Sequence, residues 1–211
     1  MPELPNPTLD FVFQHIFSDE RNADVLVHFL NSVLETKHGP LIESVEIFNP
    51  YAQLEPPPDR MSALDFRART STNTLIHIEL QLWKPEDTPN RSLFNWAWLL
   101  KETNGEGNLY RLMQKSIVVN ILDFNVIKSE RYHTIFQMSD EATGQLLSDE
   151  LEIHYLELGK LQTVAPPPEQ RLERWMLFLA ARTKERMEEL AVAEPALQKV
   201  LTTFALHHQD E

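Results

Sequence analysis

Between residues 64 and 83 the hydrophobic pattern alternates twice. Leu64, Phe66 and Ala68 fall on one side of an extended segment, and Asp65, Arg67 and Arg69 on the other. After the polar turn Ser71-Thr72-Asn73-Thr74 the alternation resumes. Ile76, Ile78, Leu80 and Leu82 face a core; His77, Glu79, Gln81 and Trp83 face away from it. Two alternating runs joined by a short polar turn predict an antiparallel hairpin.

Elsewhere the period is helical or the run is continuous. Leu9, Val12, Phe13, Ile16 and Phe17 predict a helix over 8–18 with Thr8 as its N-cap, and Val25, Leu26, Phe29, Leu30 and Val33 predict a second over 24–34. Ser44–Phe48 reads as a short strand, and Glu55–Asp59, with three prolines, as a loop. A helix is expected over 91–103 and a shorter one over 109–115. Ser116–Phe124 is a buried strand by its unbroken apolar run. Strands follow at 132–138 and 151–158, then helices at 171–190 and 195–206. Trp96 and Trp98 are two apart and cannot share one helix face, so at least one is core. This order predicts an α/β or α+β fold with a mixed sheet. The expected division is 1–165 for the sheet-bearing domain and 166–211 for a C-terminal helical segment packed on it or extending from it.

Composition narrows the chemistry. Hydrophobic residues make up 42% of 211, enough for a packed core. There is no cysteine, which removes disulfides, thiol catalysis and Cys-based zinc sites and fits a cytoplasmic setting. Met1–Asp10 holds three prolines and no apolar run, so no leader peptide is expected. Nor does any stretch approach the roughly 20 apolar residues of a membrane span. The net charge is −13, which weighs against nucleic acid. The charge is uneven, though: residues 60–131 carry 8 acids and 10 bases. The one segment that is not acidic is the one with the hairpin.

Asp65 and Glu79 fall on the polar sides of adjacent strands. Cross-strand neighbours lie about 4.5–5.5 Å apart at Cβ. Two ionised carboxylates repel by roughly 4 kcal/mol at about 4 Å and an effective dielectric near 20. A cation between them relieves this, and Mg2+ or another divalent metal suits oxygen ligands, with the Leu80 carbonyl able to add one more. Gln81 points to the same side and could hold an attacking water or a phosphate oxygen. That set suits hydrolysis of a phosphodiester by water. The plain alternative is an exposed strand face that happens to carry acids. His77 shares the Glu79 face; it either assists a proton transfer or packs at the sheet edge. Arg67 and Arg69 either contact phosphates or compensate nearby acids. Lys84, Arg91, Lys101, Arg111 and Lys115 are candidates for a DNA-facing rim or a solvated helix face. The histidines show no HExxH spacing, and GxSxG and Walker loops are absent, so zinc-hydrolase, serine-hydrolase and P-loop readings lack support.

The ordered blocks TLDFVFQHIFSDERNADVLVHFLNSVL, VEIFNP, RMSALDFRARTSTNTLIHIELQ and GNLYRLMQKSIVVNILDF resemble the Rpn family of recombination-promoting nucleases and transposases, within the PD-(D/E)XK nuclease superfamily. The resemblance runs from about residue 7 to 205. It implies a restriction-endonuclease-like core, a mixed sheet flanked by helices. It implies Mg2+-dependent DNA cleavage with little sequence preference, in bacteria, linked to recombination; a homo-oligomer is compatible with it. By position, Asp65 matches the family's metal-binding aspartate and Glu79 its second acid. Gln81 stands where the superfamily usually has lysine and this family commonly has glutamine. Asp10 matches an N-terminal acid that would add a carboxylate to the site, its bland reading being a first-turn acid that favours the helix dipole. Gln14 replaces a common lysine, Leu64 replaces a common proline, and many relatives continue as a helical tail past the position of Glu211. Leu64 is ordinary among divergent members; the lost lysine at position 14, the acidic total and the earlier stop motivate the alternative of a catalytically inactive, transposase-derived DNA-binding or interaction module.

Overall fold

The computed structural model describes residues 12–34, 42–48, 65–84, 87–103, 113–162 and 170–207. Among these, six strands form one sheet in the order β1-β2-β3-β4-β6-β5. They are β1 (Val45–Phe48), β2 (Asp65–Thr70), β3 (Leu75–Gln81), β4 (Ser116–Leu122), β5 (His133–Phe136) and β6 (Leu151–Glu157). β1, β2 and β3 pair antiparallel, β3, β4 and β6 run parallel, and β5 returns antiparallel on β6. The helices are α1 (Val12–Phe17, a π-helical turn), α2 (Ala23–Leu34), α3 (Thr88–Thr103), α4 (Arg171–Ala180), α5 (Lys184–Ala191) and α6 (Pro195–His207). This is the expected α/β architecture, a mixed sheet flanked by helices. No described helix is long and apolar enough to cross a membrane.

The hairpin turn sets the register. Asn73 takes φ 66°, a left-handed conformation that asparagine tolerates better than most residues. Its N–H donates to the Thr70 carbonyl at 2.9 Å, and Thr74 N–H donates to Thr70 Oγ1 at 3.1 Å. With the turn so closed, Asp65 pairs with Glu79 and Arg67 with His77. A slip of one residue would exchange the faces of the strand.

One face of the sheet carries the main core. Phe66, Ala68, Ile76, Ile78, Leu80, Ile117, Val119 and Ile121 pack there against α1, α2 and α4–α6. Trp175 of α4 seals it, with its ring 5.7 Å from Phe17 and 5.4 Å from Phe29 and its indole N–H donating to His28 Nδ1 at 2.9 Å. The opposite face lies against α3 and a smaller apolar cluster that includes Leu75, Leu99, Val118 and Tyr155. All seven residues of β3 are therefore buried, as are Asp65 and Arg67 on β2, so the hairpin's polar side is interior except at Arg69 and is not the exposed face weighed above.

Three expectations change. The helix expected over 171–190 is two helices: Ala181 turns extended, and Thr183 caps α5 by accepting from Arg186 N–H at 3.3 Å. Arg182 at the joint reaches back to Asp123 at 2.9 Å, which makes that acid structural. Helix is not seen at 113–115; the rest of the expected 109–115 helix lies outside the described residues. His77 is on β3, between β2 and β4, and not at a sheet edge.

Candidate active site

The register places the Asp65 and Glu79 side chains together beneath the first two turns of α3. Their side chains are 3% and 0% exposed. Gln81 Nε2 donates to Glu79 Oε1 at 2.8 Å, and Gln81 Oε1 accepts a longer bond from Thr88 Oγ1 at 3.4 Å. Asn95 Nδ2 donates to Glu79 Oε2 at 2.8 Å and lies 3.1 Å from His77 Nε2. Since the Asn95 amide is the donor, His77 Nε2 is the acceptor and its proton belongs on Nδ1. Arg91 bridges the carboxylates: its Nε pairs with Glu79 Oε1, and its Nη2 is 3.3 Å from Asp65 Oδ2. Asp65 Oδ1 is buried without a hydrogen-bond partner among the described residues.

Charge does not balance here. Burial, then the neighbouring Glu79, pushes the Asp65 carboxyl above its ordinary range, and Arg91 only partly offsets this. Glu79 is raised by burial as well, against the lowering effect of Arg91, Gln81 and Asn95. His77 goes the other way: burial and the adjacent Arg67 and Arg91 hold its pKa down to about 3. A neutral imidazole with its lone pair toward the acids is a poor proton donor near pH 7, which removes the acid half of the proton-transfer role. Asp65, His77 and Glu79 each offer a ligand atom, all within 4.8 Å of one another.

These residues fit a divalent cation. Two carboxylates, one of them with an unpartnered oxygen, are the donor chemistry that such an ion takes up. A nearby imidazole nitrogen widens the choice toward first-row transition metals such as Mn2+.

The structure thus brings Asp65, Glu79 and Gln81 together. The Leu80 side chain lies in the core on the other face, so only its main chain is near the site. Asp10 lies outside the described residues. Arg67 is fully buried with its guanidinium 3.9 Å over the Trp98 ring, so it is not a surface phosphate contact. Arg69 is exposed and lies 4.0 Å from Glu46, which is charge compensation. Lys115 pairs with Glu152 at 2.9 Å.

Sequence reasoning missed the α3 contribution. Thr88, Arg91, Ser92 and Asn95 recur at i, i+3, i+4 and i+7, one helix stripe, and this polar stripe faces inward. Leu93 and Phe94 are the residues turned to solvent, at 52% and 63% exposed. The stripe's spacing was visible; its inward direction was not.

The family model described as PD-(D/E)XK nuclease family transposase matches residues 7–211. No curated protein and no solved structure matches the chain.

Proposed function

Since the chain belongs to the PD-(D/E)XK nuclease family transposases, we propose that it is a divalent-metal-dependent DNA endonuclease with little sequence preference, acting in recombination or transposition. The observation that carries this reading is the buried Asp65–Glu79 pair, directly opposed across two strands with one arginine for two carboxylates. Asp65 and Glu79 are the metal-holding carboxylates, with the Leu80 carbonyl and Asp10 as further oxygen donors. His77 Nε2 becomes a nitrogen donor for Mn2+ in particular if the Asn95 amide, 3.1 Å from it, gives way.

A divalent cation bound there supplies Lewis-acid stabilisation of charge on the phosphate and lowers the pKa of an attacking water. The chain's own residues do the positioning. Gln81, tied at one end to Glu79 and at the other to Thr88, presents an amide beside the acids that can orient water or a phosphate oxygen. Asn95 fixes Glu79 and His77 together, and Thr88 and Asn95 on α3 close the site from above. Arg67, paired with His77 across β2 and β3, ties β2 to α3 by stacking on the Trp98 ring. We take residues 1–165 as the nuclease-like unit and 166–211 as helices packed on it; the contacts of Trp175 with Phe17 and Phe29 support the packing.

The test is nicking of supercoiled plasmid by the purified chain with Mg2+ or Mn2+, with chelator, and with Asp65→Ala. The expected outcome is metal-dependent nicking that the substitution reduces by at least about a hundredfold. One observation favours a second reading, a non-catalytic DNA-binding module: Arg91 already engages both acids. On that reading no metal-dependent nicking is seen even at high protein concentration. Nicking that persists undiminished in Asp65→Ala refutes the proposed site.

A further inference from the structure

Arg91 is one of the α3 residues of this site that neither the hairpin pattern nor the family resemblance assigns. It leaves the first turn of α3 and places one guanidinium across both carboxylates, Nε on Glu79 Oε1 and Nη2 at 3.3 Å from Asp65 Oδ2. A cation shared by these two acids has to lie between them, where the guanidinium already is. A divalent ion and Arg91 cannot both hold that position.

Three features say which of them is replaceable. The arginine's grip is partial: its contact with Asp65 is long, and Asp65 Oδ1 is left with no partner among the described residues. Arg91 brings one positive charge to two buried carboxyls, whereas a divalent ion can hold both of them ionised. Its position is peripheral: the Arg91 side chain is 28% exposed, while the acids beneath it are 3% and 0% exposed. Arg91 therefore lies on the solvent side of the pair, with a way out that does not disturb the buried Gln81 and Asn95 bonds to Glu79.

We propose that Arg91 is an exchangeable counter-ion: it holds the carboxylate pair together in the metal-free protein and is displaced toward solvent when a divalent cation binds. Metal affinity in this protein is thereby set by a competition inside the site. The proposal rests on the metal-binding reading of Asp65 and Glu79.

The experiment reads metal binding and not cleavage. Mn2+ is titrated by calorimetry into the full chain, wild type, Arg91→Ala, Arg91→Gln and Asp65→Ala. Removing a positive charge a few ångströms from the ion tightens binding about tenfold or more in Arg91→Ala and Arg91→Gln. Both variants melt below wild type in chelator and recover to or above it with metal. Equal or weaker Mn2+ binding in the arginine variants, with wild type still binding and Asp65→Ala not, overturns the counter-ion role and leaves the metal site standing. No binding by any of the four proteins overturns both. A second measurement needs no substitution. In wild type the Arg91 Nε–H, bonded to a buried carboxylate, gives a protected proton resonance in chelator that exchanges rapidly once Mg2+ saturates the site. A resonance that stays protected under saturating Mg2+ also overturns the proposal.

Discussion

Glu152 and the Asp65–Glu79 pair are carboxylates buried in the same sheet, and their surroundings push them in opposite directions. Glu152, on β6, accepts from Lys115 at 2.9 Å, from Gln137 at 3.1 Å and from His154 at 3.1 Å, and His154 is backed by His133 at 3.0 Å. Burial works to raise its pKa, but the bonds from His154 and Lys115 outweigh it and hold the carboxyl at about 2. Asp65 has one long contact with an arginine, an orphaned oxygen and another acid opposite, and its pKa rises. Burial of an acid is thus no sign of a working site by itself. The sign is negative charge that the protein's own groups leave uncompensated. One cluster is finished by the fold; the other is left in want of a cation.

This contrast breaks first at its structural end. Glu152→Gln removes a charge that three groups are arranged to meet, and it should cost about 2 kcal/mol at neutral pH by denaturant unfolding. A group held below its ordinary value stabilises the fold above about 4.5, and that stability is lost as pH falls toward about 2, so the mutant and wild type should converge across that window. A mutant equally stable at pH 7 would mean that the cluster is slack.

At the functional end the sign reverses. Asp65→Asn should abolish cleavage and yet stabilise the protein in chelator by about 1 kcal/mol, because the metal-free fold buries the Asp65 carboxyl near neutral pH only by protonating it, a cost the asparagine does not carry. Asp65 is held above its ordinary value, so its contribution is complete at low pH and lost as pH rises beyond the usual carboxylate range. The advantage of the asparagine should therefore grow with pH. A thermal-melt series from pH 5 to 9 in chelator checks this, and a mutant that melts lower throughout contradicts it.

The smallest effect is expected on the roof. α3 is held by its polar underside and its contacts through Leu99, so Phe94→Ser on the outward side should change stability by no more than about 0.5 kcal/mol. A larger loss by the same denaturant measurement would show that the outward face is part of the fold.

Much of this was legible in the residues. Strict alternation at 64–83 fixed the hairpin and put Asp65, Glu79 and Gln81 on one side, since the period of a strand leaves no freedom about which neighbours share a face. The apolar run 116–124 read correctly as a buried strand, which ends at Leu122. What escaped depends on partners distant in the chain. Arg91 looks like a rim cation because a polar stripe on a helix normally faces water; only the pairing of β3 beneath α3 turns it inward. His77 looked peripheral because strand order cannot be read from a local pattern. The break between α4 and α5 hides in a continuous helical period, and the cap at Thr183 becomes visible only once Arg182 is seen to reach Asp123.

Trp175 carries one more consequence, and it concerns the order of events during synthesis. Its hydrogen bond to His28 spans 147 residues, and its ring meets Phe17 and Phe29 near the start of the described chain. On the ribosome the amino-terminal helices emerge long before the tryptophan that covers them. Until α4 arrives, their aromatic faces lack this cover and the sheet lacks a wall. Asp65 and Glu79 are already translated during that interval, but the scaffold that presses them together is incomplete. A chain translated in this order brings Asp65 and Glu79 under a finished scaffold only once α4 has emerged, well after the two acids have left the exit tunnel.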